Sequence, residues 1–190
     1  MLTDEQIYDN KMKYLTIISR LNVDLTQFVK YLDEISFFEK PATNQFEFSY
    51  AGGLCEQALK ECHELGVLCT AYAPDRYSEE DIIKVALLRN IYRAEMYELY
   101  SRNIRNEITG QWETVLAYRL SENRRMYGDV GLSSYLIIRN FFELTTEQVE
   151  AIIQTASVNN YSVDIRGVTK KYPLIALVKM AELVVNNIIL

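Results

Sequence analysis

The chain has 190 residues, 49% of them hydrophobic and 24% charged, which suits a globular protein with a sizeable core. Its net charge of −6 and pI near 5.0 argue against broad phosphate-directed binding of nucleic acid, though not against a local basic patch. With only 7 Gly and 3 Pro, the chain is expected to be all-α, with at most one small hairpin and no linker or repeat.

In chain order, "TDEQ" at Thr3–Gln6 is a capping box, and a helix is expected to follow to about Ser19. A second helix is expected from Asp24 to about Ile35, with Leu25, Phe28, Val29 and Leu32 inward. "FFEKPATNQFEFSYAGG" reads as irregular, bounded by Pro41 and the Gly52–Gly53 pair. A third helix follows from Leu54 to about Cys69. Its Cys55, Cys62 and Cys69 repeat every seven residues on one face, too far apart to share a metal, and read as small buried apolar groups.

"SEED" at Ser78–Asp81 caps a helix expected to reach about Tyr100. Inside it, "VALLRNIYRAEMY" sets Arg89, Asn90 and Arg93 into an apolar stretch. Thr109–Gly110 marks a tight turn, with a short hairpin possible there. Helices are then expected from Trp112 to about Tyr127, from Leu132 to about Phe142, and over "LTTEQVEAIIQTA" behind a Thr cap. "VNNYSVDIRGVTKKY" reads as a loop, and Pro173 opens a last helix. That helix is broken by Lys179, Glu182, Asn186 and Asn187, so a core or interface role is expected and a membrane span is not. The polar start "MLTDEQIYDN" does not read as a signal peptide, so a cytoplasmic protein is expected.

Several segments together resemble a small HD-domain phosphohydrolase subfamily, often phage-encoded. Its members read Pro-Ala-Ser, then a His six places after the Pro, then Tyr-x-Gly-Gly-Leu-x-x-His-x-Leu. Pro41, Ala42, Tyr50, Gly52, Gly53, Leu54 and Leu59 match, while Glu47 and Gln57 stand at the two His positions. The family's Leu-Leu-His-Asp-x-x-Lys-Ala is similar to "LLRNIYRA", with Arg89–Asn90 at the His-Asp pair and Arg93 at the Lys. "GQWETVLAY" resembles its Gly-x-Trp segment. Gly128–Ser133 resembles Gly-His-Gly-Glu-x-Ser with Asp129 at the His. The last two segments place Thr155 at a His and Glu182 at an Asp. The likeness spans about residues 30–187 and leaves 1–29 as an added N-terminal helix on one HD-like helical domain.

The resemblance implies a scaffold stripped of its metal ligands. Metal-assisted hydrolysis needs imidazoles and carboxylates around a divalent ion, and a guanidinium has no acceptor to offer. The lone His63 lies off the ligand positions. No cofactor and no metal are therefore expected, and the chain reads as a pseudoenzyme of a bacterial or phage-infected cell. Three readings of the altered site stand side by side. In the first, Arg89 pairs with carboxylates such as Asp129 and Glu182 and holds the helices together. In the second, Arg89, Arg93, Arg124 and Arg125, with Arg102 and Arg105 as further candidates, grip a phosphate that is bound and not cleaved, and Trp112 stacks a base. The third is an active nucleotide or oligonucleotide phosphohydrolase with an atypical site. Partners expected are a host or viral protein or a nucleotide. The 14 Tyr, among them Tyr92, Tyr97, Tyr100, Tyr118, Tyr127 and Tyr135, add a homo-oligomer as a possibility.

Overall fold

A computed structural model describes residues 1–45, 47–124, 128–156 and 165–188; Arg125 and Tyr127 lie outside these. The chain is mostly helical, with one two-stranded antiparallel sheet. In order come α1 (Asp4–Ile18), α2 (Thr26–Glu34), α3 (Gly53–Tyr72), α4 (Glu79–Leu88), α5 (Arg93–Met96), β1 (Tyr97–Arg105), β2 (Trp112–Leu120), α6 (Val130–Ile138), α7 (Thr146–Ala156), α8 (Ile165–Lys171) and α9 (Leu174–Asn187).

The helix starts follow from side chains that satisfy free backbone N–H groups. Thr3 and Gln6 form a full capping box on α1, and Ser78 and Asp81 form one on α4. Thr145 and Gln148 do the same for α7 through reciprocal bonds of 3.3 and 2.8 Å. Gln148 then donates to Asp81 at 2.7 Å and ties the first turns of α7 and α4 together. Glu147 accepts from the Leu174 N–H at 3.2 Å, so a carboxylate of α7 sits at the start of α9.

α3 is the central helix and packs against α9, α4 and α1; α7 joins it by packing on α4, α6 and α9. Its start depends on two glycines. Gly52 has φ +82°, and a Cβ on Gly53 would overlap the Phe48 backbone carbonyl. The same close approach recurs where Gly131 lets α6 lie on the backbone of α7 at Ile153. The N-terminal helix α1 is anchored by Tyr14, whose ring packs on Phe37 and Phe38 and whose hydroxyl donates to the Leu87 carbonyl at 3.1 Å. Cys55, Cys62 and Cys69 are buried free thiols. Burial pushes Cys55 up to about 12 and both Cys62 and Cys69 up to about 11.

Three expectations fail. The helix through Arg89 stops at Leu88 and passes through tight i→i+3 turns at 3.0 and 2.9 Å into the single turn of α5, then straight into β1. Residues 112–120 are strand β2, not helix: Trp112, Thr114, Leu116, Tyr118 and Leu120 alternate onto one face, a period-2 signal that outweighs the helix-forming Glu113, Ala117 and Arg119 between them. Within the segment read as a loop after α7, residues 158–164 lie outside the described residues, and Ile165–Lys171 are helical. The expected turn does close the hairpin. Asn106 accepts from the N–H groups of Ile108 and Thr109, and Gly110 takes φ +73°.

Candidate functional site

The ends of α4 and α5 bring Arg89, Asn90 and Arg93 into the centre of the helical body, where all three are buried. Arg89 has no exposed surface, at 0%. Its Nε donates to Glu61 Oε2 at 3.1 Å, and its Nη2 lies 2.7 Å from Glu61 Oε1, a two-pronged ion pair. Nη1 donates to the Thr155 backbone carbonyl at 3.1 Å and lies 3.7 Å from Glu182. Lys179 donates to that same carbonyl at 2.7 Å and to Glu182 at 3.1 Å. One guanidinium therefore joins α3, α7 and α9 from the end of α4.

The i, i+4 spacing on two facing helices extends the arrangement by one turn. Gln57 precedes Glu61 on α3, Asn186 follows Glu182 on α9, and Gln57 donates to Asn186 at 3.0 Å. Arg93 donates to the Ala42 carbonyl at 3.1 Å and so pins the Pro41–Ala42 segment onto the core. The buried Gln57 Oε1 and Asn90 Oδ1 have no hydrogen-bond partner among the described residues.

Charge here is stabilised by neighbours against the cost of burial. Burial works against the Arg89 charge, but Glu61 and Glu182 outweigh it and hold the guanidinium above its ordinary value. Burial also opposes ionisation of Glu182, yet Arg89 and Lys179 prevail and its carboxyl lies below the usual range. At the fully enclosed Glu61, burial wins over Arg89 and lifts the carboxyl. Burial, together with Arg89, lowers Arg93.

Of the residues singled out from the sequence, Gln57, Arg89, Asn90 and Glu182 are in or beside this core, and Thr155 contributes through its carbonyl while its hydroxyl donates to Ala151. Two are elsewhere. Glu47 is exposed, and Asp129 caps α6 by accepting from the Leu132 N–H at 2.8 Å. The carboxylate expected from Asp129 comes from Glu61, which the sequence reading missed. Its signal was its place one turn after Gln57 on the apolar side of α3. The phosphate-gripping set does not assemble either. Arg89 is enclosed, Arg102 and Arg105 are exposed on the hairpin, Arg124 is exposed and donates to the Ser121 carbonyl at 2.7 Å, and Trp112 projects from β2 into solvent. Arg125 lies outside the described residues.

The donor set does not fit a divalent cation: a guanidinium holds the centre, and Glu61 and Glu182 are turned to it. Among the described residues no group of three or more His, Cys, Asp or Glu side chains is placed to hold a metal, and His63 is exposed on α3. A groove of about 830 Å³ runs between α1, α3 and α4 and is lined by Ile17, Leu59, His63 and Val67, with Arg20 and Glu79 paired beside it at 2.7 Å. No helix among the described residues is long and apolar enough to cross a membrane. No protein-family model, curated protein or solved structure matches the chain.

Proposed function

We propose that the chain is a catalytically inert, HD-like helical domain that acts by binding a host or viral protein in the cytoplasm of a bacterial or phage-infected cell. Arg89 carries the reading. The resemblance puts it where the family's metal-binding His stands, and its guanidinium is fully buried and committed to Glu61, Glu182 and the Thr155 carbonyl. A cation so enclosed repels a divalent metal and is closed off from a phosphate in solvent. The cluster thus acts as a strut where the family would hold an ion.

Elemental analysis and hydrolysis assays with Mn²⁺, on nucleotides and short oligonucleotides, test this. The expected result is no stoichiometric metal and no turnover. Turnover that disappears in Arg89→Lys overturns the reading in favour of an atypical phosphohydrolase. A thermal-shift screen with nucleotides and cyclic dinucleotides tests the binding target. A ligand at a hundred times its dissociation constant adds about 2.7 kcal/mol of stability. The expected result is no shift; a shift of that size moves the target from a protein to a nucleotide.

A further inference from the structure

One face of the β1–β2 hairpin carries large apolar side chains that are exposed. The register sets Tyr97, Leu99, Ser101, Asn103 and Arg105 opposite Leu120, Tyr118, Leu116, Thr114 and Trp112 on one face. On the other face Arg119 pairs with Glu98 at 2.8 Å and lies over the Tyr100 ring, and Tyr100, Val115 and Ala117 there are half-buried. The first face is covered near its root, where Tyr97 is buried and Tyr118 half-buried. Beyond it, Leu120 is 42% exposed, Leu99 53%, Leu116 68% and Trp112 72%. A free two-stranded ribbon is marginal in water, and antiparallel sheets normally pack one face on something. Neither strand contains a Pro or Gly that would blunt its outer edge.

We propose that this face is a dimer interface and that its occupant is the same face of a second copy of the chain. Three observations select a second copy. First, the pattern is self-complementary. Leu99, Leu116 and Leu120 make one apolar spot near the root and Trp112 makes another near the tip. Between them is the polar Asn103–Thr114 pair, bonded at 2.9 Å. A two-fold axis at that pair lays each Trp112 on the other copy's leucine spot, as an isologous contact requires. Second, the ribbon is electrically balanced. Arg102, Arg105 and Arg119 offset Glu98, Glu107 and Glu113 between residues 97 and 120, three against three, while the whole chain carries −6. Two like-charged molecules therefore meet where neither carries net charge. Third, the four side chains leave on the order of 500 Å² of apolar surface uncovered, close to the apolar share of the roughly 800 Å² per partner of a standard interface.

The test uses the full chain in sedimentation velocity across the micromolar range, with circular dichroism to establish that each variant is folded. Wild type is expected to be a dimer. Leu116→Glu and Trp112→Glu are each expected to weaken it at least a hundredfold, and Arg102→Glu, on the opposite face, to leave it intact. Under mild oxidation Thr114→Cys, at the axis, is expected to form a disulfide-linked dimer and Arg102→Cys none. A monomeric wild type overturns the proposal and assigns the face to a different protein. A Leu116→Glu variant that stays dimeric, or equal cross-linking at both cysteines, overturns it as well. The outcome is independent of the Arg89 reading, since hydrolytic activity would leave the hairpin argument untouched.

Discussion

The helical body and the hairpin break the usual rule of burial in opposite directions. The body hides charge: Arg89 and Glu61 are enclosed where apolar side chains normally sit, and each finds its partner there. The hairpin shows apolar surface: Leu116 and Trp112 are mostly exposed to water. The difference is energetic. A buried ion pair must be satisfied inside the same chain, because an uncompensated charge costs more than the fold can bear. An exposed apolar face costs far less per residue and can wait for a partner. The body's polar centre thus concerns the fold's own integrity, and the hairpin's face concerns what the molecule meets.

The comparison breaks most decisively at Arg89. Arg89→Ala leaves the enclosed Glu61 without its counter-ion and Glu182 with Lys179 alone, and is expected to cost about 3–5 kcal/mol in urea unfolding. Arg89→Met combined with Glu61→Leu removes both charges at once and is expected to recover more than half of that loss. Equal losses in the single and the paired variants would show that packing, and not charge, holds the centre.

A smaller effect separates the two carboxylates on Arg89. The carboxyl of Glu182 lies below its ordinary 4.5 in the folded chain, so its contribution is present above that pH and lost on acidification. The carboxyl of Glu61 lies above 4.5, so its contribution has the opposite sign: it is full below that pH and lost as pH rises towards the folded value. Glu182→Gln is therefore expected to lower stability near neutrality and to flatten its fall below pH 4.5, as read by thermal unfolding across an acid series. An unchanged acid limb would show that Glu182 is not ionised by Arg89 and Lys179.

The smallest effect is expected at the hairpin tip. Ile108 is 96% exposed, and Ile108→Ser should alter the unfolding free energy by no more than about 0.5 kcal/mol. A loss approaching that of Arg89→Ala would mean that the ribbon is part of the folding unit, and the contrast between the two regions would fall.

Local chemistry made the helices legible. Thr3 with Gln6 and Ser78 with Asp81 announce their starts because caps are satisfied within four residues. Pro173 and the Gly52–Gly53 pair mark breaks for equally local reasons. Arg89 and Asn90 also stood out, because two polar groups in an apolar run demand a partner somewhere. The ribbon was harder to see. Its strand "WETVLAYRL" is made largely of helix-forming residues, and only cross-strand pairing with β1 decides that its period is two.

By itself, then, the sequence determined the predominantly helical character, the helix boundaries set by caps and breakers, and the presence of an unusual charge inside an apolar segment, since each depends on residues a few places apart. The tertiary structure alone decided which groups meet that charge. Glu61 is 28 residues from Arg89 in the chain and Glu182 lies beyond it on another helix. The place of Glu61 on the apolar side of α3 hints at burial, but no local pattern tells which group it meets there. Only the packing of α3 on α4 and α9 removes its water and leaves Arg89 as its counter-ion.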